Sequence, residues 1–193
     1  MRKIESTILI LVIVFMHISC NSTENATEDI LCRCILAPTS VSHDTYLIEV
    51  NDTGLIRTSF GCIPDSIVDM VCKDEKIDPN QVRIIENVEK RAEIKLGEKD
   101  YHHLTELIAN FRVEKCENPF VEGWFWDAWM VILMVGEKQF VYEKSYHPNK
   151  DVDAITDELV RLSPITVSFD KMIGGRVKIC PDSLDSHAQR TEP

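Results

Sequence analysis

WMVILMVGEKQFVYEK, Trp129 to Lys144, is two apolar runs on either side of a Gly136-Glu137-Lys138 turn. From Ala128 to Val135 every position is apolar, whereas a strand with one wet face would alternate. Such a strand is covered on both faces, so it is expected centrally in a sheet. It is too short to cross a bilayer, which takes about 20 apolar residues. The short turn returns the chain as QFVYEK, which pairs antiparallel with the first run.

On each side of this hairpin the period changes from two to 3.6. Asp100 is the expected N-cap of a helix whose Tyr101, Leu104, Leu107, Ile108 and Phe111 form one apolar stripe. A second helix is expected from Asp151 or Asp153, with Val152, Ile155, Leu159 and Leu162 inward, ending before Pro164. Further out, TYLIEV-NDTG-LIRTSF (Thr45–Phe60) reads as a hairpin in which Gly54 supplies a positive φ. DSIVDMVC (Asp65–Cys72) is a short helix candidate. QVRIIENVEKRAEIKL (Gln81–Leu96), with Ala92, Ile94 and Leu96 alternating against charges, reads as a strand. ITVSF and RVKIC around Gly174-Gly175 suggest a last hairpin. The expected fold is α+β: an antiparallel sheet of hairpins, two main helices on one face, and disulfide bonds.

The ends carry a different message. Arg2 and Lys3 precede Ile8–Met16, an apolar run of signal-peptide length, and the polar, acidic stretch Asn21–Asp29 follows. No cut between Ile18 and Glu24 offers an ordinary signal peptidase a clean pair of small residues. A cut before Cys20 leaves Ser19 at −1. The residues HISC (His17–Cys20) thus resemble the lipobox of bacterial lipoproteins, with His17 where that pattern usually has an apolar residue. The resemblance implies that Cys20 becomes the first residue and carries fatty-acyl chains such as palmitate. From Thr45 to Ser163 the layout is loosely similar to small uncharacterised domains of Bacteroidetes lipoproteins. There a strand–Gly turn–strand unit leads to a helix like DYHHLTELI, an apolar hairpin like WMVILMVGEKQFVY and a helix like DAITDELVRL. That resemblance implies no catalytic residues.

The expected organisation is a signal peptide over 1–19, a lipidated cysteine and flexible tether over 20–30, one domain over 31–180 and a disordered tail over 181–193. Of seven cysteines, assigning Cys20 to lipid leaves Cys32, Cys34, Cys62, Cys72, Cys116 and Cys180, an even set suited to bridges in an exported chain. Cys32 and Cys34 are too close in sequence to bridge each other without strain, so each is expected to tie an N-terminal arm to the core. Asn21, Asn25 and Asn51 lie in N-x-Ser/Thr sequons, which would be glycan acceptors in a eukaryotic secreted protein.

A net charge of −11 with no basic stripe argues against nucleic acid as a partner. Chemistry-bearing patterns are sparse. On a helix His102 and His103 diverge by about 100°, and His102 with Glu106 lacks the second histidine of a zinc-protease helix. Asn149, Asp151 and Asp153 start like a calcium loop, but Ala154 and Val160 stand where glycine and glutamate belong. There is no nucleophile elbow and no phosphate loop. These readings name no catalytic residue, no metal and no cofactor. The aromatic run around Trp124, Phe125 and Trp126 is the candidate platform for a protein or glycan, set against a role in capping the core. The leading expectation is a lipoprotein anchored to the bacterial envelope, at the outer membrane, carrying a non-enzymatic binding or accessory domain. An exported hydrolase with a site assembled from loops and a eukaryotic secreted inhibitor-like glycoprotein are the alternatives.

Overall fold

The computed structural model describes residues 29–39, 43–114, 128–144 and 149–168. Nine elements follow in chain order: β1 (Ile30–Pro38), β2 (Thr45–Asn51), β3 (Leu55–Cys62), α1 (Asp65–Cys72), β4 (Glu86–Lys95), α2 (Glu98–Asn110), β5 (Trp129–Val135), β6 (Lys138–Glu143) and α3 (Lys150–Leu162). The six strands form one antiparallel sheet in the order β4-β3-β2-β1-β5-β6. The fold is therefore α+β, as the hairpin patterns indicate.

Strand alternation splits the core into two layers. Cys32, Cys34, Leu36, Tyr46, Ile48, Val131, Leu133, Phe140 and Tyr142 point to one face. There they meet Leu104 of α2 and Val152, Ile155, Leu159 and Leu162 of α3, so the two longer helices do share a face. Ile35, Ala37, Leu47, Met130, Ile132 and Val141 point the other way, onto Ile67 and Val71 of α1 and onto Ile77, Ile84 and Ile85. The short helix is thus the third, on the opposite face. It is why β5 has no wet side: its residues from Trp129 to Met134 are all buried.

The centre of the sheet is β1, a strand that the sequence does not announce. It pairs with β2 on one side and β5 on the other, and Cys34, Ile35, Leu36 and Ala37 are wholly buried. β5 lies inside the sheet, between β1 and the edge strand β6. Cys32 and Cys34 occupy alternate positions on one face of β1 and pack as small apolar side chains. Cys32, Cys34 and Cys62 are free thiols, so the bridged framework inferred from parity is corrected for these three. Cys72 is not among these free thiols, and no disulfide joins two described cysteines. Cys20, Cys116 and Cys180 lie outside the described residues.

Local chemistry fixes the turns. Gly54 has φ +79° at the end of the β2–β3 turn, and a side chain there would meet the Tyr101 ring at 3.0 Å. Tyr101 Oη donates to the Asp52 carbonyl at 2.6 Å, clamping that turn to α2. Asn51 Oδ1 accepts from Thr53 N, Thr53 Oγ1 and Leu55 N, and the residue is 2 % exposed. Asn51 is thereby removed as a glycan acceptor in the folded domain. α2 starts earlier than expected: Gly97 is its N-cap, and Asp100 sits in the first turn. Ile165–Ser168 are not a strand, and the remainder of the expected last hairpin lies outside the described residues.

Candidate functional site

One end of the sheet, on the α1 side, holds a cleft of about 410 Å³. That is within the range of small-ligand sites, about 300–1,000 Å³. Its floor is Arg33 of β1 and Met134 of β5, its lip the Gly136-Glu137-Lys138 turn with Gln139, and its opposite wall residues 76–80. The wall has no regular structure and is fastened by the Gln139 side chain and by burial of Ile77. Gln139 Oε1 accepts from Ile77 N at 2.8 Å, and Gln139 Nε2 donates to the Glu75 carbonyl at 3.1 Å. Ile77 anchors the same segment by burial in the α1-side core. Asp78 then shapes the bend, its carboxylate accepting from Asn80 N and its carbonyl from Gln81 N and Val82 N.

Charges of both signs line this cleft. Arg33 Nε donates to Glu49 Oε1 at 2.8 Å across the β1–β2 pair, and Lys138 Nζ lies 3.6 Å from Glu114. Lys76, Asp78 and Glu137 complete the set, with no histidine, cysteine or serine among the described lining residues. The arrangement can hold a small polar ligand by hydrogen bonds, but it offers no nucleophile beside a base.

A second polar cluster lies between the sheet and α3. Asn149 caps this helix, its Oδ1 accepting from Asp151 N and Val152 N. Asp153 turns inward and accepts from Tyr142 Oη at 2.9 Å and from Lys144 Nζ at 3.2 Å. Lys144 Nζ also donates to Asp157 at 2.6 Å. The residues that resembled a calcium loop are therefore a capped helix start that docks on β6. Burial pushes the Tyr142 hydroxyl up from its ordinary value. For Lys144 burial acts downward, but the hydrogen bonds to Asp157 and Asp153 outweigh it and the ammonium is held above its ordinary value. Burial likewise pushes the Cys32 thiol up to about 12 and Cys34 beyond its ordinary range, so neither supplies a thiolate near neutral pH. This cluster is a docking device for α3.

The remaining sequence candidates fall elsewhere. His102 and His103 lie on the exposed side of α2, with His102 Nδ1 3.8 Å from Glu106. Among the described residues the shallow hollow there is lined by Glu98, Lys99, His102, His103 and Glu106, all on a single helix. No cluster of metal-ligating side chains occurs among the described residues. Trp124, Phe125 and Trp126 lie outside the described residues, while Trp129 is core, its ring 6.4 Å from Tyr46. The cleft residues were not legible in sequence: Arg33 sat unremarked between two cysteines, and Gln139 and Asp78 carry no motif. Comparison with known proteins found no matching family model, no matching curated protein and no matching solved structure.

Proposed function

We propose that this chain is a lipoprotein of a bacterial envelope, fixed to the outer membrane through acyl chains on Cys20 and bearing a non-enzymatic domain that binds a ligand or partner. The observation that carries the reading is the junction at Ser19-Cys20: a charged start, a short apolar run, the cysteine, then a polar stretch. Cysteine parity no longer contributes, since Cys32, Cys34 and Cys62 are free. Acyl chains would anchor by about 0.8 kcal/mol per buried methylene, and two or more chains hold stably. Asn21–Asp29 then acts as the tether. At about 3.3–3.6 Å per residue it lets the first residue of β1 stand roughly 30 Å from the bilayer.

On this reading the cleft at Arg33, Lys76 and Lys138 is a candidate ligand site near the tethered end of β1. The Trp124–Trp126 run is a candidate platform for a protein or glycan. A Cys20→Ala variant tests the anchor. In a bacterial host that processes lipoproteins and is fed labelled palmitate, the wild-type chain should take up the label and be shortened to begin at residue 20, while the variant should remain unlabelled and keep its leader. Equal labelling of the two, or none on either, would refute the proposal.

A further inference from the structure

Among the described residues the β4 edge of the sheet is open: β4 pairs with β3 alone, and every residue of it is exposed except the half-buried Ala92. Val88 and Ile94, the large apolar side chains most exposed among the described residues, both lie on it. Ten residues of one-sided strand present a row of backbone groups that a further strand would satisfy. Asn87, at φ +46°, and the register shift between Phe60 and Cys62 mark an irregularity that leaves the regular stretch from Val88 onward.

Charge identifies the occupant. The pairings Ile56↔Ile94, Thr58↔Ala92 and Phe60↔Lys90 put Lys90, Ala92 and Ile94 on the α2/α3 side of the sheet. Glu89, Arg91, Glu93 and Lys95 share the other side. Two of them are already oriented from β3: Arg57 Nε donates to Glu93 at 2.9 Å, and Arg91 Nε to Ser59 Oγ at 3.1 Å. Lay a second β4 antiparallel to the first with Ala92 opposite Ala92. Glu89 then faces Lys95, and Arg91 faces Glu93, on both sides of the two-fold axis. Every charge on that face meets its opposite, and the row Arg57–Glu93–Arg91–Ser59 runs unbroken across the junction. Centring the pair on Arg91 sets Arg91 against itself and Glu89 against Glu93. Centring it on Glu93 sets Glu93 against itself and Arg91 against Lys95. Both are disfavoured, because like charges directly opposite repel.

We infer that β4 is the interface of a two-fold symmetric dimer, in which two copies join edge to edge about Ala92 into one continuous sheet. The occupant is a second copy of this chain. The inference does not depend on the anchor at Cys20.

Two single variants test it. Glu89→Lys sets lysines opposite each other in its own dimer, and Lys95→Glu sets glutamates opposite each other. Mixed together, they place lysine against glutamate at both positions. Sedimentation of the full chain in detergent should show a dimer for wild type and a dissociation constant raised about tenfold or more for each variant alone. The equimolar mixture should recover the wild-type dimer. Circular dichroism of each variant should match wild type, since both positions are exposed. As a register test, Ala92→Cys should cross-link to itself under mild oxidant, while Arg91→Cys should cross-link far less. A wild-type chain that stays monomeric at its highest soluble concentration would overturn the inference, as it would if β4 took a strand from another protein. So would single variants that dimerise unchanged, or a mixture that stays dissociated.

Discussion

β1 and β4 stand two strands apart in one sheet and are opposite in physics. β1 has a strand on either side and a helical layer over each face, and its middle residues are fully buried. β4 has one partner among the described residues, and its side chains stand in water. At about 25 cal/mol per Å² of apolar surface, burial stability concentrates around β1 and β5, while β4 contributes mainly its ladder with β3. Among the described residues the molecule therefore joins a deeply buried centre to an exposed edge.

The largest test of that contrast is Leu36→Ala in β1. Leu36 is wholly buried between β2 and β5, so its loss should cost about 2–5 kcal/mol in denaturant unfolding. A cost under about 1 kcal/mol would show that the centre is loosely packed.

Next comes the α3 docking cluster. Tyr142→Phe removes the hydrogen bond to Asp153 and leaves the carboxylate short of one donor, which should cost about 1–2 kcal/mol. Its neighbour supplies a pH test. Lys144 is held above its ordinary value in the folded state, so its contribution is complete below the unfolded pKa of about 10.4. It is lost as pH rises through the higher folded value. Glu158, hydrogen-bonded by Arg161, is held below the ordinary carboxylate value. Its contribution is present above about pH 4.3 and is lost as pH falls through the folded value. Unfolding midpoints measured across pH should therefore fall at both the alkaline and the acidic end. The buried Cys32 and Cys34 thiols and the Tyr142 hydroxyl, which burial also pushes up, add to the alkaline fall. A Lys144→Met variant should therefore reduce that fall only in part, and an unchanged fall would mean that Lys144 does not contribute to it.

Thiol chemistry separates the centre from its surroundings without a mutation. Native protein treated with iodoacetamide near neutral pH should alkylate Cys62, which is half-buried, well before Cys32 or Cys34. Comparable rates for the three would mean that β1 opens readily. The smallest expected effect is Ile94→Ala on β4. At 47 % exposure it should change monomer stability by no more than about 0.5 kcal/mol, and a larger loss would mean that β4 is covered in solution.

The same contrast explains what could be read in advance. β2–β3 and β5–β6 were legible because a turn glycine sits between two strand-like runs, and Gly54 and Gly136 do adopt positive φ. β4 was legible because Ala92, Ile94 and Leu96 alternate against charges, although the strand starts at Glu86 and not at Gln81 and both of its faces are exposed. β1 was not. Burial on both faces erases the period of two, and the only punctuation left, Cys32 and Cys34, suggested bridges instead of packing. The eight-residue α1 showed its helical pattern, but a short amphipathic helix carries no information about which face of a sheet it covers. The cleft was illegible for a related reason. Arg33 and Gln139 stand more than a hundred residues apart and meet only through the β1–β5–β6 order of the sheet.

The central claim is that this sheet hangs from a lipid-bearing Cys20, and intact mass spectrometry of the mature full chain tests it most directly. Purified from a bacterial host that processes lipoproteins, the chain should begin at Cys20 and carry the added mass of diacylglycerol or further acyl chains. A chain cut elsewhere, or one beginning at Cys20 without that mass, would contradict it.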